Sequence, residues 1–251
     1  MENTSVCYKT RDAIGKCWTS ASVIGEVVAQ SDVYCIPEKY SAIYPEYDFY
    51  RIQARRKSGA VDYIIVAIAD KAIKENLKLG SIVRLSGEIK RFEVYQHEEK
   101  RWVMVLFADK KAEILERSDE AQDVNRVCIE GYLVKTTPAR GTMTEKRLAD
   151  MLICLQGEAQ ENGYIPNVVV PCLIWDKVMD DVKENYMIGD KVEIVGRFQS
   201  RTYKKTETSK YSDQCGEELV FETQEISVSR VSKVLPLDVD LEVSEEGDRN
   251  V

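Results

Sequence analysis

The sequence predicts a mainly β protein made of two tandem five-stranded barrels, each with a short helix between its third and fourth strands. Three observations support this fold class. Short apolar runs alternate with polar residues along most of the chain, which is typical of half-buried strands. A helical apolar pattern occurs once in each half, and glycines recur at matching intervals in the two halves.

In the first half, the pattern predicts strands at 21–30, 48–57, 61–69, 81–92 and 101–108. Phe49, Arg51 and Gln53 alternate with Tyr50 and Ile52, as in a strand with one polar face. A helix is predicted at 70–79, because apolar residues are spaced there as on one helix face and Gly80 follows.

In the second half, 168–175 is an apolar strand that is followed by a helix at 176–185. Val178, Met179 and Val182 give that helix one buried face. A turn at 188–190 leads to a strand at 191–197, and the polar segment 199–220 is predicted to form a long hairpin.

The halves preserve the spacing between their glycines and the start of their helices. An interval of 45 residues occurs once in each half, and an interval of seven residues also occurs once in each half. The matched residues are Gly25 and Gly131, Asp70 and Asp176, Gly80 and Gly189, and Gly87 and Gly196. Four matches in register indicate a tandem duplication.

The duplication leads to a prediction of the domain boundaries. They are an N-terminal lead-in at 1–20, a divergent barrel at 21–116, a linker at 117–123, a second barrel at 124–235 and an acidic disordered tail at 236–251. A helix at the same place in both halves favours the oligonucleotide-binding (OB) barrel over a β-sandwich.

Composition excludes several classes of protein. The net charge of −8 argues against a generally basic nucleic-acid binder, although residues 196–211 carry a local charge of +4. Seven cysteines without a Cys-x-x-Cys pair indicate a reduced compartment and predict no metal site. No cofactor is expected. His97 lies in a polar loop, no catalytic constellation is evident, and we therefore expect no enzyme activity. No apolar run is long enough for a membrane span.

Residues 124–234 resemble the single-stranded-DNA-binding protein (SSB) family. The resemblance lies in VNRVCIEGYLV at 124–134, VVVPCLIWDKVMDD at 168–181, YMIGDKVEIVGRFQSRTY at 186–203 and VFETQEISVSRVSKV at 220–234. The first half fits the family only through the repeat. The chain departs from the family pattern in its last residues, GDRNV, and in the aliphatic Val169 and Leu155, where stacking aromatic residues are expected.

The resemblance implies that the protein coats and protects single-stranded DNA in replication, recombination or repair. It also implies a bacterial cytoplasmic or nucleoid location and self-association as a dimer with four barrels. The resemblance also suggests replication or repair proteins as further partners, and no membrane partner is expected.

Binding a single strand independently of its sequence requires aromatic surfaces for the bases and mobile cations for the phosphates. The second half offers these residue types around its hairpin, and the first half retains some of them. The candidates are Trp175, Lys177, Arg197, Arg201, Tyr203, Lys204 and Lys205 in the second half and Arg55, Arg56, Arg91 and Tyr95 in the first half.

Structural roles compete with these assignments. Trp175 could be a core residue, Tyr203 an ordinary surface residue, and residues 55–57 a solvated charge run. Tyr34, Tyr40, Tyr44 and Tyr47 are expected to pack a long loop. Two alternatives to DNA binding remain open at this point. One is an OB-fold interaction or assembly subunit with little nucleic-acid affinity, and the other is an accessory barrel pair that binds RNA.

Overall fold

The computed structural model describes residues 17–30, 43–96, 99–116, 123–142, 145–156, 167–206 and 218–234. These residues lie mostly in antiparallel strands, which confirms the mainly β prediction. Most of the predicted lead-in and linker, His97 and the whole acidic tail lie outside the described residues.

The strands of the first half pair in a closed ring. Its elements are β1 (Trp18–Gln30), β2 (Asp48–Arg55), β3 (Val61–Ile68), α1 (Lys71–Asn76), β4 (Ile82–Gln96) and β5 (Glu99–Leu115). Strand pairing runs β1–β2–β3–β5–β4 and returns to β1; the β3–β5 contact is parallel and the others are antiparallel. This closure leaves each of the five strands with two neighbours.

The second half repeats this ring. Its elements are β6 (Val124–Thr136), β7 (Arg140–Gly141), β8 (Arg147–Gln156), β9 (Asn167–Trp175), α2 (Asp176–Asn185), β10 (Lys191–Thr206) and β11 (Glu218–Lys233). Pairing runs β6–β8–β9–β11–β10 and returns to β6, with β9–β11 parallel. The short β7 pairs only with β8.

The helices lie where the sequence predicts them, after the third long strand of each half. α2 buries Met179 and Val182, as its apolar spacing indicates. α1 is shorter than the predicted 70–79, because Asp70 caps it and Leu77 is already extended. The Asp70 carboxylate accepts a 3.1 Å hydrogen bond from the Ile73 amide.

The strands of the two hairpins are longer than the sequence analysis predicts. β4 continues past residue 92 to Gln96, and β5 begins at Glu99, so residues 99–100 belong to a strand and not to a loop. β10 likewise continues past residue 197 to Thr206. These extensions are polar at many positions and lack a simple apolar alternation. Cross-strand ion pairs support them, among them Lys100 with Glu93 at 2.6 Å.

The two rings join through antiparallel pairing of β1 with β6, which extends from Trp18 opposite Glu130 to Ile24 opposite Val124. At its centre Ala21 lies opposite Val127, and these two residues are 106 positions apart, like the repeated glycines Gly25 and Gly131. Pairing centred on equivalent residues gives the halves a local twofold relation, as in a symmetric dimer.

Each hairpin crosses onto the other half at equivalent positions. Arg91 Nη1 on β4 donates a 2.7 Å hydrogen bond to the Val169 carbonyl on β9. The Tyr63 amide on β3 donates a 2.8 Å hydrogen bond to Ser200 Oγ on β10. The glycine spacing makes Arg91 equivalent to Ser200 and Tyr63 equivalent to Val169. The last hairpin of each half is therefore anchored on the third strand of the other.

The main core is continuous through both rings, and the first half carries a second apolar cluster on its outer face. The buried members of this cluster are Phe49, Ile65, Ala67, Phe92, Val94, Val103, Val105 and Phe107. Tyr44 and Tyr47 pack on it, with ring centroids 5.1 Å and 4.8 Å from that of Phe107. These two tyrosines pack as predicted, and Tyr34 and Tyr40 lie outside the described residues.

Gly87 and Gly196 allow close backbone approach where β4 and β10 bend. A Cβ at Gly87 would lie 1.6 Å from the Phe107 carbonyl oxygen, and one at Gly196 would lie 2.5 Å from the Ser227 oxygen. The strand register shifts beside both residues. The repeat preserves glycine here because no side chain fits.

Replacing Gly196 by Ala is expected to destabilise the fold by about 1–3 kcal/mol, since the backbone of β11 must move. Gly141→Ala is the matched control, because a Cβ there meets nothing within 4 Å. Urea unfolding followed by circular dichroism measures both variants. Equal unfolding midpoints for the two would contradict the steric explanation.

Candidate nucleic-acid interface

The two long hairpins meet where β5 begins and β10 ends. Lys205 on β10 forms an ion pair with Glu99 at the start of β5. The guanidinium of Arg101 lies 4.6 Å from the ring centroid of Phe221 and 5.7 Å from that of Tyr203. We call these five residues the hairpin junction. It brings the basic and aromatic segments of both halves together, which the sequence did not predict.

Tyr203 forms the aromatic surface of the hairpin junction. Its ring stacks on the buried Phe221, with centroids 5.6 Å apart and planes inclined by 19°. The Tyr203 side chain remains 38% exposed. A supported but exposed ring is the arrangement that base stacking requires.

Three predicted cations in the outer part of the β10–β11 hairpin have carboxylate partners. The pairs are Arg201 with Glu225, Lys204 with Glu218, and Lys205 with Glu99. The Lys204 pair is exposed on both sides, and such a pair contributes at most about 1 kcal/mol. A phosphate can therefore replace the Glu218 carboxylate beside Lys204 at little energetic cost.

Glu225 is the most deeply buried of these partners, with its side chain 7% exposed. Burial raises its pKa, and Arg201, whose Nε lies 2.7 Å from Oε1, opposes the rise. Nearby, a hydrogen bond from Arg140 holds the pKa of Asp150 below its ordinary value. The positive charges of Arg201 and Arg140 thus balance the negative charges of Glu225 and Asp150 at the base of the hairpin.

Trp175 is the last residue of β9 and is half-buried. Its Nε1 donates a 3.2 Å hydrogen bond to Ser227 Oγ, which fixes the indole against β11. Lys177, in the first turn of α2, is exposed. Ser227 and Phe221 are six residues apart on β11, so Trp175 and Tyr203 are separated by roughly 20 Å along the strand. The structure does not bring these two candidates together.

Arg55, Arg56 and Arg197 lie in a different region, at the seam between the halves. Arg56 donates two hydrogen bonds to Asp62, whose side chain is fully buried. Burial lowers the pKa of Arg197, and the neighbouring Arg56 adds to the effect. Arg55 is exposed at the end of β2. In this arrangement Arg56 neutralises a buried carboxylate and is not directed at solvent.

Arg91 and Tyr95 lie on β4. Arg91 is half-buried, donates to the Val169 carbonyl, and holds its guanidinium 4.4 Å from the ring centroid of Trp102. Burial lowers its pKa. Tyr95 is 53% exposed and lies opposite Lys100 near the hairpin tip.

Sequence reasoning missed two residues of this surface, Arg101 and Trp102. Both lie on β5, and Trp102 is 47% exposed. The segment Lys100-Arg101-Trp102 combines cations with an aromatic residue, which is the pattern that singled out Tyr203. The aliphatic residues that follow in 101–108 predict a strand and give no sign that its first two residues lie on a surface.

No cluster of three or more potential metal ligands occurs in the part of the chain that the structure describes. Cys172 is buried in the core, and burial raises the pKa of its thiol. Within the same residues, neither helix has the length and apolar character needed to span a membrane.

Residues 124–221 match the model of the single-strand binding protein family. The match begins at the first residue of β6 and ends in β11, so it covers most of the second ring. This confirms the resemblance predicted for that half. No curated protein sequence matches the chain.

Two solved structures of a single-stranded DNA binding protein from Thermus aquaticus are similar to the chain. The wild-type structure gives a TM-score of 0.58 at 14% identity and covers 88% of this chain and 95% of that chain. A deletion mutant gives a TM-score of 0.56 at 14% identity and covers 88% of this chain and 96% of that chain. These similarities confirm the OB-fold class.

Glu225→Gln is expected to remove a pH dependence of stability. Because the folded-state pKa of Glu225 is raised, its protonated form is favoured on folding. Its contribution to stability is therefore full below the ordinary value of 4.5 and is lost as pH rises through the folded-state pKa.

The variant should gain stability relative to the parent protein as pH rises from about 4 to 7. Chemical unfolding across this range measures the difference, with Glu218→Gln as a control for an exposed carboxylate. A difference between variant and parent that does not change with pH would contradict the assigned burial effect.

Proposed function

We propose that this protein binds single-stranded DNA and does not catalyse a reaction. The observation that carries the proposal is the match of residues 124–221 to the single-strand binding protein family. The OB-fold class is consistent with it, since this barrel is a common scaffold for oligonucleotide binding.

The proposed binding surface centres on the hairpin junction. Tyr203 stacks on a base, and Lys204 and Lys205 exchange their carboxylate partners for phosphates. Arg201 lies beside them and stays paired with the buried Glu225. Trp175 and Lys177 mark a second contact about 20 Å along β11. Tyr95 and Arg91 extend the surface onto the first half, and Arg55 is an exposed cation at the seam.

Arg56 and Arg197 are assigned an indirect role. Arg56 is paired with the buried Asp62. Arg197 lies close enough to both residues for its charge to interact with theirs. We propose that they hold β2, β3 and β10 together beneath the binding surface and make no phosphate contact.

A second candidate function is an assembly subunit with little nucleic-acid affinity. The ion pairing of the predicted hairpin cations favours it, because those charges are already satisfied within the protein. Tyr44 and Tyr47 cover the outer apolar cluster of the first half, so those aromatic rings are not free to stack on bases, which also favours this alternative. Failure of the folded protein to bind a single strand at low salt would select this alternative.

We also propose that the protein acts in replication, recombination or repair, and that two chains associate to give four barrels. Support for the dimer comes from the family resemblance of the second half and from the repeat. Sedimentation equilibrium should then give about twice the chain mass of 28.7 kDa. A monomer at micromolar concentration would argue against the dimer and leave DNA binding open.

Oligo-dT of about 40 nucleotides should bind tightly at low salt, because several OB folds can share such a strand. The affinity should fall steeply as salt rises, since each phosphate contact releases a counterion. Tyr203→Ala should weaken binding by about 1–3 kcal/mol, while Tyr203→Phe keeps the ring and should bind like the parent protein.

Fluorescence anisotropy of labelled oligo-dT across a salt series measures these affinities. No binding by the parent protein would overturn the proposed function. Equal affinities for Tyr203→Ala and Tyr203→Phe would remove Tyr203 from the surface and leave the function standing.

A further inference from the structure

Trp102 belongs to the first half but lies next to the second half's sheet. Its ring is held 4.4 Å from the guanidinium of Arg91, and Arg91 donates a 2.7 Å hydrogen bond to the Val169 carbonyl on β9. The indole is thus attached, through one arginine, to the third strand of the other barrel.

The exposure of Trp102 has no explanation in core packing. Its side chain is 47% exposed, whereas the next two residues on β5, Val103 and Met104, are buried. Trp102 is a member of neither apolar cluster. A large indole left half in water, on a rigid strand and against a planar cation, offers a surface for stacking.

Arg91 differs from the four candidate cations that form ion pairs. Its contacts are a backbone carbonyl and an indole, and it forms no ion pair with a carboxylate among the described residues. Arg56, Arg201, Lys204 and Lys205 all do. A positive charge that no carboxylate neutralises, next to an exposed aromatic ring, favours an anionic ligand that carries a flat group.

Strand β9, which Arg91 contacts at Val169, has no aromatic residue near that contact. Val169, Pro171 and Leu173 occupy alternate positions of β9, and Trp175 follows on the same face at the far end. Val169 and Trp175 are six residues apart, or roughly 20 Å along the strand. Trp102 therefore supplies an aromatic surface at the end of β9 opposite Trp175.

We infer that Trp102, positioned by Arg91, is a base-stacking site that the first half contributes to the single-strand-binding face of the second half. The inference rests on the proposed function. It assigns the first half a direct part in binding, although its own outer face is covered by Tyr44 and Tyr47. The ligand is a nucleobase stacked on the indole, with a phosphate near Arg91.

Trp18 provides a matched control. It is 41% exposed, close to the exposure of Trp102, but its Nε1 donates a 3.1 Å hydrogen bond to the Glu130 carboxylate. Glu130 is in turn paired with Lys191 at 2.6 Å, so among the described residues Trp18 has no uncompensated cation beside it to hold a phosphate. This tryptophan should therefore not contribute to DNA binding.

The chain has three tryptophans, so a double variant can isolate the fluorescence of Trp102. In Trp18→Phe/Trp175→Phe, oligo-dT should quench the remaining emission. Trp102→Ala should weaken oligo-dT binding about tenfold, and Trp102→Phe should restore most of the affinity. Trp18→Ala should bind like the parent protein.

Arg91→Gln provides a second, independent readout. Loss of one phosphate contact should lower the slope of log affinity against log salt by about 1, in addition to weakening binding. Thermal unfolding of each variant shows whether it is folded. If Trp102→Ala does not fold, the quenching experiment and Trp102→Phe still test the site.

The outcomes separate the inference from the function on which it rests. If the parent protein binds oligo-dT but Trp102 is not quenched and Trp102→Ala binds like Trp18→Ala, the stacking site is wrong and single-strand binding stands. If the parent protein binds no oligo-dT, both fail. Quenching of Trp102 with a specific loss of affinity in Trp102→Ala supports the site.

Discussion

The antiparallel pairing of β1 with β6 is the contact on which the rest of the structure depends. It aligns equivalent strands about Ala21 and Val127 and so relates the two rings by a local twofold axis. With the rings in this relation, each long hairpin reaches the third strand of the other half, through Arg91 on one side and Ser200 on the other. The hairpin junction and the position of Trp102 both follow from that arrangement.

Charge compensation divides the cations of this surface into three kinds. Arg56 and Arg201 face carboxylates that are buried, and removing either cation would leave an unpaired charge with a large desolvation cost. Lys204 faces a carboxylate that water also reaches, so a phosphate can replace it. Arg91 has no carboxylate partner among the described residues. Burial and pairing, more than the number of basic residues, thus identify which cations are open to an anion.

The fold could be predicted largely from the sequence because its requirements are local. Gly87 and Gly196 recur because a Cβ at either position would overlap a backbone carbonyl, and this constraint is visible as a spacing. The helices follow from apolar periodicity. Strand ends were predicted less well, since the extensions of β4, β5 and β10 rely on cross-strand and inter-half contacts that leave no simple alternation in the sequence.

By itself, the sequence determined the mainly β OB fold, the duplication and the basic and aromatic character of residues 196–205, because these depend on residue type and spacing. The tertiary structure decided which candidates share a surface. It separates Trp175 from Tyr203 along β11, commits Arg56 to Asp62, and adds Arg101 and Trp102. The contact of Arg101 with Phe221 joins opposite halves, and the other relations depend on burial and strand pairing, which chain spacing alone does not encode.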